Sequence, residues 1–243
     1  MRGDDRAVSE VVAFVLVFGI IIGSVALLSV VGFQSMEEYK EGEQLRNADR
    51  AMSAIADNFN DVLRDDGIEE RAGELALREG TIRTGSDGAT WEVTVLEDGN
   101  PTPLLEEDGA FGTFEYVYGD DAIAYEGGGV FRRDSSGNVE ISEPPLRCSD
   151  DAAVVSLVAI DADDRSLQSS ETQQFTVVQN RSHEDTVNET FIGDDLTVKL
   201  EVDGSQYQNG WDDVLNGGNW DNDGECEDVE RVSVHVVVVD VEY

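Results

Sequence analysis

The chain is poor in the residues that most chemistry needs. Its 243 residues include two histidines, two cysteines and four prolines, and 16 basic side chains stand against 53 acidic ones, a net charge of −37. Lys40 and Lys199 are the only lysines. Binding to phosphate requires clustered Lys and Arg, so nucleic acid is excluded as a partner, and so is charge-driven attachment to an anionic membrane surface. His183 lies in a polar stretch and His235 in a β-branched one, and no Gly-x-Ser-x-Gly, His-Glu-x-x-His or phosphate-loop pattern is present. Among so many carboxylates no acid–base pair stands out. The sequence reads as that of a protein that is not an enzyme. Self-repulsion of this size destabilises a compact state in dilute buffer, but at molar salt the Debye length falls to about 3 Å and most of it is screened. The acidity therefore points to an extreme halophile and says little about a specific partner.

Charge is missing altogether from residues 11–33. At a helical rise of about 1.5 Å per residue this run reaches roughly 35 Å, enough to cross the hydrocarbon core of a bilayer. Arg2 and Arg6 precede it, while Glu37, Glu38, Glu41 and Glu43 follow. The positive-inside rule then puts the N-terminus in the cytoplasm and the rest of the chain outside the cell. A secretory signal would have a shorter apolar region with a cleavage site after it. Here the processing-like junction, Arg6-Ala7, comes first, so a cut there leaves the helix on the mature chain.

No proline occurs before Pro101. Leu45, Ala48, Met52, Ile55, Phe59 and Val62 recur at spacings of three and four, with Arg46, Asp49, Arg50, Asp57 and Asp61 on the other face. The pattern predicts one helix over about residues 8–64, with Gly19, Gly23, Gly32 and Gly42 as bends or points of close approach. Its apolar seam reads either as contact with the chain's own head or as a coiled coil between subunits.

Beyond residue 80 the period changes to that of strands. Residues 81–84 and 90–95 alternate around Ser86-Asp87-Gly88 and read as a hairpin. Residues 122–125 and 130–133 read as another across Gly127-Gly128-Gly129, and further strands are expected at 111–118, 152–160, 173–178, 196–202 and 229–241. The last is long and β-branched, as a central strand would be. Tyr207, Trp211, Val214 and Leu215 share one face of a short helix packed on the sheet. The fold class is α+β: a long N-terminal helix, membrane-spanning and then an amphipathic stalk, followed by an antiparallel β-rich head. The corresponding divisions are a leader (1–7), a transmembrane helix (8–33), a stalk (34–66) and an extracellular head (67–243).

Three groups of residues qualify as sites. Cys148 and Cys226 would close a long loop outside the cell, contributing about 4 kcal/mol as a disulfide, or remain two buried thiols. Asn180-Arg181-Ser182 and Asn188-Glu189-Thr190 satisfy the N-glycosylation pattern. From Asn219 to Glu230 the spacing follows a calcium loop, with oxygen donors at Asn219, Asp221 and Asp223, a glycine at Gly224 and a carboxylate at Glu230, although position 1 is Asn. Calcium is the ion this set would take; no other cofactor is indicated. The alternative is a solvated loop held by Cys226.

The opening Arg6-Ala7-Val8-Ser9-Glu10-Val11 resembles the class III signal of type IV pilins and archaellins, in particular the haloarchaeal form in which a basic residue and Ala precede Val-Ser-Pro-Val and an apolar run. Glu10 stands where those pilins carry Pro. The resemblance implies that a prepilin peptidase cuts between Ala7 and Val8. It also implies that the mature chain polymerises with like subunits or other pilins through Val8, Glu10, Val11, Phe14, Phe18 and Ile21, with adhesion as an accompanying role. Two other readings fit the same features. One is a single-span anchored binding module that never polymerises, and the other is a minor pilin that primes or caps a filament.

Overall fold

The computed structural model describes residues 4–64, 69–105, 108–221 and 224–243; in its first helix the side chains of 4–10, 31, 33–35, 37, 38, 41 and 64 lie outside the description. The chain divides into two compact units, Met1–Arg46 and Asn47–Tyr243. Helix α1 (Asp4–Arg64) runs without interruption through Gly19, Gly23, Gly32 and Gly42, so none of these is a helix break. The division at Arg46 departs from the expected stalk over 34–66. The reason lies in the packing of residues 47–64, which form part of the second unit's core.

In the first unit, Val11–Val30 is long and apolar enough to cross a membrane, and none of it is buried. Phe14 and Phe18 stack along the helix with centroids 6.0 Å apart. Within the run, the Ser24 hydroxyl donates to the Ile21 carbonyl at 2.9 Å and is satisfied within the helix.

The second unit is built of two sheets and the end of α1. The first sheet is organised around β15 (Glu225–Glu242), which pairs on one side with the parallel β11 (Ala152–Ile160). On the other side β13 (Thr172–Gln179) and β14 (Val187–Asp203) follow one another along it, both antiparallel. Gln179 faces Val239 and Val187 faces Val236, so residues 180–186 bulge out of a gap that spans two residues of β15. Outside these, β1 (Glu70–Ala76) pairs with β13, and β3 (Thr90–Glu97) pairs with β14. The strands β4 (Asn100–Pro103) and β5 (Gly109–Ala110) lie on β3, and β10 (Leu146–Cys148) lies on β11. Val236, Val237, Val238 and Val239 are all buried, as expected of a strand covered on both faces.

The second sheet is antiparallel throughout, in the order β12 (Arg165–Gln168), β2 (Thr81–Gly85), β6 (Thr113–Tyr118), β7 (Asp121–Glu126), β8 (Gly129–Asp134), β9 (Gly137–Ser142). The expected hairpin over 81–95 is therefore not one. β2 pairs with β6 in the second sheet and β3 with β14 in the first. Alternation identified both strands correctly but carries no information about partners, and Ser86-Asp87-Gly88 is a corner between sheets. The hairpin over 122–133 does form, as β7 and β8. Its turn requires glycine, since Gly127 and Gly128 have φ of +61° and +98°.

Met52, Ile55, Phe59 and Val62 of α1 are buried, so the seam is contact with the chain's own head. Phe59 meets Phe114 and Tyr125 edge-on, each at 5.5 Å, and Phe114 in turn meets Phe175 of the first sheet at 5.2 Å. Ile55 fills the space over Gly73 in β1, where a Cβ would lie 2.8 Å from Ile55 Cγ1. One polar group is buried in this contact: Asn60 donates from Nδ2 to the Gly128 carbonyl and accepts from the Tyr125 hydroxyl at Oδ1, both at 2.7 Å. Asp49, partly buried, accepts from Arg132 at 3.1 Å, and desolvation raises its pKa despite that partner. Helix α2 (Gln208–Leu215) buries Trp211 and Leu215, with Tyr207 buried just before it.

Candidate functional site

Two places in the molecule combine accessibility with unmet demand. The first is the apolar surface of α1. Val11, Phe14, Phe18 and Ile21 are all more than half exposed, at 63, 69, 55 and 53 %. The Ala7–Val8 junction falls inside α1, and the side chains of Ala7, Val8 and Glu10 lie outside the described residues.

The second is a cavity of about 310 Å³ in the second unit, walled by β6, β7, the 87–89 corner and the segment leading into α2. Strand alternation builds it. Phe114 and Tyr125 point toward Phe59, so their neighbours Glu115, Ala124 and Glu126 point the other way, toward Tyr207 and Trp211. Glu115 and Glu126 are therefore buried carboxylates, 6 and 7 % exposed. Glu115 accepts from the Tyr207 hydroxyl at 2.6 Å and is approached by Arg83 at 3.6 Å and Arg133 at 3.8 Å. Glu126 accepts at Oε1 from Ser205 Oγ and Trp211 Nε1, both at 2.6 Å. Among the described residues its Oε2 receives no hydrogen bond, and no cation pairs with it. Burial raises the Glu126 pKa above the ordinary carboxylate value; its two hydrogen bonds lower it, and the charge on Glu115 adds to the rise. Tyr207 is pushed far up by burial and by Glu115, so it stays a neutral donor. Neither His183 nor Cys148 nor Cys226 lines this cavity.

Neither glutamate stands out in the sequence. Their one signal is a carboxylate in phase with inward-facing positions of Thr113–Tyr118 and Asp121–Glu126, and it is lost among so many acidic residues.

The residues singled out from sequence lie elsewhere. Cys148 and Cys226 are joined by a disulfide, with Cα atoms 5.8 Å apart, which fastens the edge strand β10 to the start of β15. Asn188 is exposed on β14, opposite His235, whereas Asn180 is half-buried and accepts from the Ser182 amide at 3.3 Å. The expected calcium set of Asn219, Asp221, Asp223 and Glu230 lies only partly within the described residues. Asn219 donates to the Cys148 carbonyl at 3.3 Å, Asp223 lies outside the described residues, and Glu230 is an exposed residue within β15. Pairing with β14 extends β15 back to Glu225, converting the second half of the loop into strand. A short turn remains, in which Asp221 accepts from the Glu225 amide at 2.9 Å, and the carboxylates near Asp221 are those of Glu225 and Glu227.

Residues 6–243 match the model of a family described as being of unknown function, DUF7289. No curated protein and no solved structure matches the chain.

Proposed function

We propose that this chain, which belongs to the DUF7289 family, is a pilin-like surface subunit of a haloarchaeon, trimmed after Ala7 and assembled through its N-terminal helix into a type IV pilus-like filament. The observation that carries the reading is the wholly exposed, uncharged Val11–Val30 segment. Burying a large apolar side chain contributes about 1.5–3 kcal/mol, so a run of this length has tens of kcal/mol at stake and does not remain in water. A bilayer satisfies it first. Like helices satisfy it equally well once the segment leaves the lipid, and Gly19 and Gly23, with nothing within 4 Å of where a Cβ would stand, allow close approach. The basic N-terminal flank and the acidic residues after the run support a cytoplasmic N-terminus with the head outside.

Intact-mass and N-terminal peptide mass spectrometry of native membranes and sheared surface fractions test the proposal. A mature chain beginning at Val8 in the sheared fraction is expected. A chain retaining Met1 and confined to membranes would refute assembly and leave a single-span anchored binding module. Ile21→Asp should abolish filaments, and their persistence would count equally against the reading. Stoichiometry within purified filaments separates a main subunit from one that primes or caps them.

A further inference from the structure

The two N-glycosylation triplets lie close together in sequence, and the fold puts them in different surroundings. Asn180 opens the 180–186 bulge, and its side-chain amide is engaged on both atoms. Its Oδ1 accepts from the Ser182 amide at 3.3 Å, and its Nδ2, the one side-chain donor, bonds to the Asp240 carboxylate on β15. The backbone is held as well. The Asn180 N–H donates to the Val238 carbonyl at 2.8 Å, and its own carbonyl accepts from the His183 amide at 3.2 Å and the Thr186 hydroxyl at 3.3 Å. Asn180 is half-buried among these partners, and its amide reaches an outside reagent only by giving them up.

Asn188 sits on β14, where alternation decides orientation. Val187 is buried and Phe191 packs on the core, so Asn188, Thr190 and Ile192 form a row on the opposite face, and all three are exposed. Neither Asn188 nor Thr190 uses its side chain in a hydrogen bond among the described residues. The amide and the hydroxyl two residues on, which the triplet requires, therefore stand side by side on one open face. Access is free along the strand too. Residues 187–192 pair with β15 on one edge, while β3 pairs with β14 only from Thr197 onward, so among the described residues no strand covers the other edge.

We propose that Asn188 is the glycosylated asparagine of this chain and that Asn180 stays bare. The assignment rests on the reading that places the head outside the cell, where sugar transfer from a lipid carrier takes place. In that transfer Asn188 Nδ2 forms a bond to the anomeric carbon of a sugar carried on a lipid phosphate. The bond from that carbon to the phosphate oxygen breaks, the lipid phosphate leaves with the electron pair, and the amide gives up one proton to a base of the transferase. The attached sugar is bulky and hydrated, and it projects from the face that carries the exposed Ile192.

The test is peptide mass spectrometry on the full chain purified from its native cells. Cleavage after Arg165, Arg181 and Lys199 puts the two asparagines on separate peptides. A mass gain of one or more sugars is expected on residues 182–199 and none on residues 166–181. Thr190→Ala, an exposed change that leaves Asn188 in place, should lose the sugar, Thr190→Ser should keep it, and Ser182→Ala should change nothing. A bare Asn188, a sugar on Asn180, or a sugar retained in Thr190→Ala would overturn the assignment. Location is read separately by Ser135→Cys, at an exposed turn of the head, treated on intact cells with a membrane-impermeant maleimide. A labelled cysteine with a bare Asn188 overturns the assignment and leaves the external head standing. An unlabelled cysteine with a bare Asn188 overturns both.

Discussion

Replacing Asn60 by alanine should be among the most damaging single changes in the Asn47–Tyr243 unit. Asn60 is 7 % exposed, and its amide makes two hydrogen bonds of 2.7 Å, to the Gly128 carbonyl and from the Tyr125 hydroxyl. Removing it leaves both groups buried without those bonds, at about 1–3 kcal/mol each, so a total near 3 kcal/mol is expected. Tyr125→Phe removes only a hydroxyl and leaves one Asn60 acceptor unmet, for a loss of about 1 kcal/mol. The double variant should then be less destabilised than the sum of the two singles by about 1 kcal/mol, because the shared bond is lost only once. Urea unfolding of the full chain in detergent at constant molar KCl measures all three. Tryptophan emission reports on this unit, since Trp91, Trp211 and Trp220 are all buried in it. With a slope of about 3 kcal/mol/M, Asn60→Ala lowers the midpoint by about 1 M. Strict additivity of the two substitutions, or a loss from Asn60→Ala under about 0.5 kcal/mol, would refute the claim that this amide ties α1 to the β7–β8 turn.

Reduction of the Cys148–Cys226 disulfide, which closes a separation of 78 residues, should lower the same unfolding free energy by about 4–5 kcal/mol, and the Cys148→Ser/Cys226→Ser variant should match it. Gly73→Val forces a methyl group against Ile55 and should cost about 1–3 kcal/mol; Ile55→Ala in the same chain should recover part of that loss, and a merely additive double variant would contradict the close approach. Burial raises the carboxyl pKa values of Asp49, Asp121, Glu126, Glu140, Asp185 and Asp240, so the folded chain keeps protons that the unfolded chain has released. Their stabilising contribution is complete below the unfolded carboxylate range near pH 4 and is lost as pH rises through the raised values, while Asp134, lowered by its bonds to Ser136, opposes this. The urea midpoint should therefore be higher at pH 5 than at pH 7.5, with a smaller rise in Glu126→Gln; a midpoint that falls on acidification to pH 5 would contradict the assignment.

What the sequence made legible was what has a strong period. The uncharged run, the seam from Ala48 to Val62 and the Val-rich last strand each impose one pattern over many residues, and the structure forms all three. The strand β1 escaped notice because an inward position in its alternation is Gly73, and the apolar volume there is supplied by Ile55 from the helix. The strands β4 and β12 are short and largely exposed at the sheet edges, so burial leaves no mark on their composition. Pairing was the least legible property. Nothing local separates a Ser-Asp-Gly hairpin from a corner, and the choice is made by β6 and β14, far along the chain. The candidate cavity was hidden for a related reason: Glu115 and Glu126 become unusual only when their strands turn them inward together.

The place of β15 in chain order sets a timetable. Three strands depend on it for a neighbour, β11 on one flank and β13 and β14 on the other, and it carries one half of the disulfide. All three are made before it. While the chain emerges N-terminus first, each holds open a row of backbone amides and carbonyls, and the first sheet cannot close until β15 is delivered. A chain halted before residue 225 has no route to that sheet, however much of the second one it has formed. Closure of the first sheet thus waits on residues 225–242, and any machinery that handles the chain beforehand handles one whose widest sheet is still in pieces.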